Sequence, residues 1–337
     1  MHTAGAAACA AAAGGLRARA QQAALPEARF LRIGAGSLGG VNYPIARTLA
    51  LALSNPPGSP PCDKPGGCGV PGLVVVAQST PGSVANLQAI AAGTLDSAFV
   101  QADIAYWAYT GTRGFADKAP LESLRSIANL YPEDVQIVVR KGAAVDTVRD
   151  LKGKRVSLDE QGSGTLATAR LILQAFGLTE NDLQVSYLPA DQAAKGLQDG
   201  SLDALFLFAG YPAPAISELA GGVAIDLLPI IGAPAADLRS RYGFFATDIV
   251  PVGVYKGVVR TETLSVGAQW VASASLPEPV VHDVTAALWN DSTRQALERS
   301  NPRAKLIRLE TALNGLGVPL HPGAERFYRE AGLIKTN

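Results

Sequence analysis

Histidine, cysteine and methionine are scarce in this chain: three His, three Cys and one Met among 337 residues. With so few His, and no clustered carboxylates, no site for metal-assisted hydrolysis is visible in the sequence. Charge excess of either sign is also absent, because Lys plus Arg and Asp plus Glu each number 29. A nucleic-acid footprint needs a basic surplus gathered on one face, so none is expected. No Gly-Lys-Ser/Thr triplet occurs, which excludes a P-loop. Beyond the N-terminal stretch, no apolar run approaches the roughly 20 residues of a membrane-spanning helix. The length allows two ordinary domains, each with its own core.

The first 29 residues differ from the rest. Ala4 to Ala13 is nearly pure small apolar sequence, and Ala18-Arg19-Ala20 before Gln21 is a small-x-small pattern. This reads as the second half of a secretory leader cut near residue 20. Its departure is the short start, Met1-His2, without Lys or Arg. A disordered Ala-rich tail is the plainer alternative, and a lipoprotein anchor through Cys9 has only a very short apolar run before it. Loss of the leader removes Cys9 and leaves Cys62 and Cys68. Those two lie in a Pro/Gly-rich segment with no helix or strand pattern, where a disulfide is expected in an oxidising compartment.

Strand-like and helix-like runs then alternate. Strands are expected at Phe30–Ile33, Leu73–Ala77, Ser97–Val100, Ser126–Leu130, Val135–Arg140, Arg155–Leu158, Val185–Leu188 and Ala204–Phe208. Helices are expected at Val41–Leu53, Ser83–Ala92, Asp103–Tyr109, Thr165–Phe176 and Asp191–Gln198. This order implies parallel sheet covered by helices on both faces. Two Gly/Ser-rich loops, Gly34–Gly40 and Gln161–Thr165, each follow a strand and open a helix, one in each half of the chain. Unpaired N–H groups and the helix dipole make such termini fit to hold a small anion.

Gly34-x-Gly36-x-x-Gly39 after a strand is also the dinucleotide fingerprint. That reading needs an acid about 20 residues on, yet no Asp or Glu occurs from Phe30 to Pro61. Ser37 gives a near-match to a hydrolase nucleophile elbow, with His282 or His321 as the base that chain order permits. The first Gly of that motif is missing, and the elbow normally follows several strands. An enzyme, hydrolase or dehydrogenase, is therefore the weaker reading. Thr80, Ser83, Gln101 and Asp103 add polar groups at further strand ends, where ligands of open parallel sheets bind. Each also has a plain role as a helix cap.

The ordered set of motifs resembles the TAXI family of solute receptors, which serve TRAP transporters. The resemblance runs from Phe30 to Leu333. It is carried by Ile33–Pro44, Gly82–Leu87, Phe99–Tyr106, Leu130–Glu133, Asp150–Leu158, Gly162–Thr165, Gly210–Ile216 and Pro319–Glu325. It implies the periplasmic binding protein-like type II fold: two doubly wound α/β lobes joined by two hinge strands. The expected division is 30–130 for the first part of lobe I, 135–251 for lobe II and 256–337 for the return to lobe I. Hinges then fall near Tyr131–Asp134 and Pro251–Lys256.

The resemblance further implies a periplasmic monomer with no cofactor, metal or catalysis, which hands its solute to fused membrane permease subunits. A ligand-sensing receptor of the same fold is the alternative. The implied solute is a small carboxylate, glutamate- or glutamine-like, a dicarboxylate or a 2-oxo acid. Expected ligand contacts are Gly36, Ser37, Asn42, Tyr43, Thr80, Ser83, Gln101, Asp103, Ser163, Gly164, Thr165, Phe208, Gly210 and Tyr211. Asp103 or Glu133 is available for an amino group. Arg47 and Arg170 are possible carboxylate clamps, with a surface or interlobe salt bridge as the plainer role. Asn42 departs from the aromatic residue that the family often has there, and the Cys62–Cys68 insert is longer than the usual link.

Overall fold

The computed structural model describes residues 28–60, 62 and 69–335. The expected leader, Cys9 and Cys68 lie outside the described residues. Cys62 is described and disulfide-bonded.

In chain order the strands and helices are β1 (Arg29–Gly36), α1 (Asn42–Leu53), β2 (Ser54–Asn55), β3 (Val70–Pro71), β4 (Leu73–Ser79) and α2 (Ser83–Ala91). Then come β5 (Ser97–Gln101), α3 (Ala102–Thr110), β6 (Leu124–Arg140), β7 (Arg155–Ser157), α4 (Gly164–Ala175) and β8 (Gln184–Ser186). They are followed by α5 (Ala190–Asp199), β9 (Ala204–Ala209), α6 (Pro214–Gly222), β10 (Ile225–Leu227), α7 (Gly232–Arg241) and β11 (Ala246–Val250). The chain ends with β12 (Thr261–Ser273), α8 (Glu278–Leu288), α9 (Asp291–Ser300) and α10 (Pro322–Glu330).

The hydrogen-bonded strand order is β3-β2-β4-β1-β5-β12-β6-β9-β7-β8, with β10 added to β6 and β11 to β12. Pairs β1–β4, β1–β5, β7–β8 and β7–β9 are parallel, so each lobe has a parallel core of strands. The two long strands β6 and β12 run antiparallel to each other and pass from one lobe to the other. Ala268–Ala272 of β12 pairs with β5 on the first-lobe side, whereas Asp134–Val139 of β6 pairs with β9 on the second. Residues 251–256, expected at the second crossing, form turns before β12; Ser265–Ala268 is the part of β12 opposite Tyr131–Asp134.

One expectation is corrected here. The strand pair around Tyr131-Pro132-Glu133 is a single strand of 17 residues. Pro breaks a ladder by lacking an N–H. In β6 the carbonyl of Pro132 faces Arg303, away from β12, and pairing with β9 begins only at Asp134. The missing N–H therefore lies on the side where no strand asks for it.

Apolar periodicity explains the layers. Ile45, Ala46, Leu49, Ala50 and Leu53 put one face of α1 into the largest core, which also takes in β1, α5, α6 and the C-terminal helices. A second core lies under α4 and α7, and a third under α2 and α3. Every residue of β5 and β9 is buried, as strands covered on both faces require. No described helix is long and apolar enough to cross a membrane.

Candidate functional site

Four helices begin at the carboxyl ends of β1, β4, β5 and at the loop after β7, and their N-termini converge. They are α1, α2, α3 and α4. Between them lies a cavity of about 40 Å³. The first lobe contributes Gly36, Ser37, Gly40, Val41 and Asn42, then Pro81, Gly82, Ser83 and Gln101. The second lobe contributes Asp159, Ser163, Gly164, Thr165 and Leu207 to Ala209, and Glu133 comes from β6.

The lobes touch on both sides of this cavity. On one side Ala85 N–H donates to the Gly162 carbonyl at 2.9 Å, and Thr168 Oγ1 donates to Asp103 Oδ2 at 3.3 Å. On the other, Ala215 N–H donates to the Gly39 carbonyl at 3.1 Å. The Gly-rich loop thus has a physical use unrelated to a pyrophosphate. A Cβ on Gly39 would lie 3.0 Å from both Ala215 Cβ and the Asp191 nitrogen. Gly164 is tighter still: its Cβ would fall 1.5 Å from Gln101 Oε1, so the glycine lets Gln101 reach the start of α4 across the interface.

Polar groups around the cavity are held by the backbone. Ser163 Oγ caps α4 by accepting from Leu166 N–H, and Thr165 Oγ1 accepts from Phe208 N–H at 3.1 Å. Ser83 Oγ accepts from Gln101 N–H at 3.1 Å. Asn42 Nδ2 donates to Glu133 Oε1 at 2.9 Å, and the Asn42 carbonyl oxygen accepts from the Tyr131 hydroxyl. Among the described residues, Glu133 Oε2, Asp159 Oδ1 and Gln101 Nε2 have no hydrogen-bond partner, although all three side chains are buried.

The electrostatics are unusual for an anion site. Burial pushes the Glu133 carboxyl up to about 8; Asp103 adds repulsion, against the Asn42 hydrogen bond and the Arg303 charge. Burial pushes Asp159 up to about 7, against hydrogen bonds from Glu160 N–H, Thr165 and Ser163. None of the described residues lining the cavity is Lys, Arg or His. The site therefore offers N–H dipoles and hydroxyls to an anionic end, and carboxyls to a donor or cation.

Of the residues expected at the site, Gly36, Ser37, Asn42, Ser83, Gln101, Ser163, Gly164, Thr165 and Phe208 line the cavity, and so does Glu133. Five do not. Tyr43 packs against the large core, one helical step of about 100° away from Asn42. Thr80 lies one residue before the lining begins, its N–H bonded to the Gly36 carbonyl. Asp103 is spent on Ile104 N–H and on Thr168. Gly210 lies against Arg303 and Tyr131, and Tyr211 donates to the Ile249 carbonyl with the Arg303 guanidinium 4.0 Å from its ring.

Neither Arg170 nor Arg47, each read from the sequence first as a surface or interlobe salt-bridge residue and second as a clamp, reaches the cavity. Arg170 pairs with Glu180 on the surface, and Arg47 is exposed on α1. His321 caps α10 and His282 bonds Asp283 and Glu330, so neither stands with Ser37. Among the described residues no group of three or more His, Cys, Asp or Glu is placed to hold a metal ion.

Asp159 is the charged lining residue not among those expected from the sequence. Its signal was present: an Asp directly after the expected strand Arg155–Leu158 and just before the second Gly loop. Its backbone φ of 71° is uncommon for a residue other than glycine, and such conformations gather at functional sites.

This architecture is the type II periplasmic binding protein fold. The chain belongs to the NMT1-like family, whose model matches residues 33–332. Among solved structures it is similar to PhnD1 from Prochlorococcus marinus in complex with methylphosphonate, at 13% identity and a TM-score of 0.52, over 90% of this chain and 99% of that one. It is also similar to the periplasmic aliphatic sulphonate binding protein SsuA from Escherichia coli, at 17% identity and a TM-score of 0.46, over 92% of this chain and 94% of that one. The alkanesulfonate-binding protein SsuA from Xanthomonas axonopodis pv. citri bound to MOPS matches at 17% identity and 0.47, over 91% and 92%.

Proposed function

We propose that the chain is an exported solute receptor of the TAXI kind. It captures a small solute in the interlobe cleft and delivers it to a TRAP-type membrane transporter made of fused permease subunits. One observation carries this reading. Two lobes joined by two long strands close around a buried polar cavity, at the ends of four helices whose positive dipole ends suit an anionic group. Ser37, Ser83, Gln101, Ser163 and Thr165 stand at that anionic end; Asn42 and Glu133 hold the remainder of the solute. The lobes divide near 131–134 of β6 and opposite, near 265–268 of β12, so that lobe I holds 30–130 with the C-terminal segment and lobe II holds the middle of the chain.

The receptor acts as a monomer in the periplasm, and its N-terminal 29 residues serve as leader. Cys62 pairs with Cys68. A carboxylate ligand agrees with the helix termini. A cavity of about 40 Å³ admits only a few atoms beyond water, so the lobes must part for entry and side chains must yield around the solute.

The test is a thermal-shift screen of amino acids, amines, 2-oxo acids and dicarboxylates, followed by small-angle scattering with each hit. A receptor melts higher and becomes more compact with its solute and returns the solute unchanged. Release of a chemically altered product would overturn the reading. Uptake of the same solute into vesicles bearing the permease, dependent on this receptor, tests the transport partner.

A further inference from the structure

We infer that Asp159 and Glu133 form a two-carboxyl seat for a protonated amino group, and that the captured solute is an ammonium compound rather than a dicarboxylate or 2-oxo acid. This rests on the receptor reading above and narrows its solute.

The two carboxyls come from different elements and meet at one cavity. Glu133 stands on the crossing strand β6, and Asp159 follows β7 in the second lobe. Their exposures are 1% and 5%. Each keeps one oxygen without a hydrogen-bond partner among the described residues, Oε2 of Glu133 and Oδ1 of Asp159. An independent side chain gives the same indication of a ligand: Gln101, 2% exposed, lines the cavity with an unpartnered Nε2. That amide is a donor, suited to an oxygen at the solute's other end beside the helix termini.

Each of these carboxylates loses its hydration on burial, so a neutralising charge or proton must accompany it. No described cavity-lining residue supplies a cation. The guanidinium of Arg303 is engaged outside the cavity, by Asp134, Asp248 and the Pro132 carbonyl. A solute bearing only carboxylates would bring further negative charge to the pair. An ammonium group brings three donors and a positive charge to it. Burial raises both carboxyls toward neutral pH, so protons held there are easily given up when a cation enters. The left-handed backbone of Asp159, with φ 71°, sets that carboxyl at the cavity wall.

The experiment is calorimetric titration of the full mature chain with matched probes. L-glutamate, L-glutamine and 4-aminobutyrate are set against glutarate and 2-oxoglutarate, and the twenty amino acids and small amines against their deamino counterparts. An ammonium compound should bind at least about tenfold more tightly than its counterpart without the amino group, the lower end for a hydrogen-bonded charge. Asp159→Asn should remove most of that preference; Asn tolerates the left-handed backbone, so the fold is kept. The inference is overturned if the deamino compound binds as well, or if Asp159→Asn leaves the preference intact, and the receptor reading survives either result. If no member of either class binds or compacts the chain, both fall together.

Discussion

The hydroxyl of Thr168 donates to the carboxyl of Asp103 at 3.3 Å, tying α4 of one lobe to α3 of the other where both side chains are fully buried. Asp103 thus bridges the two lobes and does not line the cavity. Burial pushes it up to about 6, with Ile104 N–H and Thr168 acting against the shift. The other carboxyl acting on this region is Glu133, itself near 8, and Asp159 is near 7. A raised value means that the closed, folded form holds its proton more tightly than the open or unfolded one. The associated stability is complete below the ordinary carboxylate range, about 4, and is lost as pH rises through about 6, 7 and 8. The melting temperature should fall between pH 5 and pH 8. Asp103→Asn should flatten the part of that curve below about pH 6. Parallel curves for variant and wild type would refute the role of Asp103.

Gly164→Ala should prevent full closure, because its Cβ would meet Gln101 Oε1 at 1.5 Å and Ser83 Oγ at 2.8 Å. Scattering with a saturating solute should show no compaction, and affinity should drop by about tenfold or more, as overpacking of this size costs about 1–3 kcal/mol. Adding Gln101→Ala relieves the clash, so the double variant should regain compaction. Independent, additive effects of the two changes would show that the contact is not what limits closure.

Arg303→Met should be among the most destabilising single changes outside the hydrophobic core. Arg303 is 5% exposed and reaches Asp134, which is 0% exposed on its side chain, at 2.5 Å. Removing the cation leaves Asp134, whose carboxyl burial already pushes well up, without its charged partner, at a cost of up to about 3–5 kcal/mol. Asp134→Asn in the same chain should recover part of the loss. Urea denaturation of the two variants measures both quantities, and a loss below about 1 kcal/mol would assign the pair a minor role.

Thiol labelling of the native exported protein should find neither Cys62 nor Cys68 reactive until a reductant is added. Labelling of both before reduction would remove the proposed bridge.

Much of the fold was legible locally. Strand, Gly/Ser loop and helix follow one another at Phe30–Leu53 and at Arg155–Phe176 with the turn chemistry each junction needs, and those elements form close to where the apolar periods place them. Chain order also sets where helices begin, so Ser37, Ser83, Gln101, Ser163 and Thr165 were findable as polar groups at strand ends. Side-chain direction was not. Tyr43 and Asn42 are neighbours in sequence, yet the helical turn sends one to the core and the other to the cavity.

Other decisions belong to the tertiary structure because they depend on what lies across the cleft. Pro132 breaks no strand, since its bare side meets Arg303 from 171 residues away. Asp103 ceases to be a ligand candidate because Thr168 of the opposite lobe takes its free oxygen. Asp159 and Glu133, 26 positions apart in sequence, line a single cavity only when the chain folds back to bring both there. The scarcity of His and the balanced charge are readable from the sequence alone. The buried carboxyls that define the site emerge from packing, which strips their water and leaves one oxygen of each without a partner among the described residues.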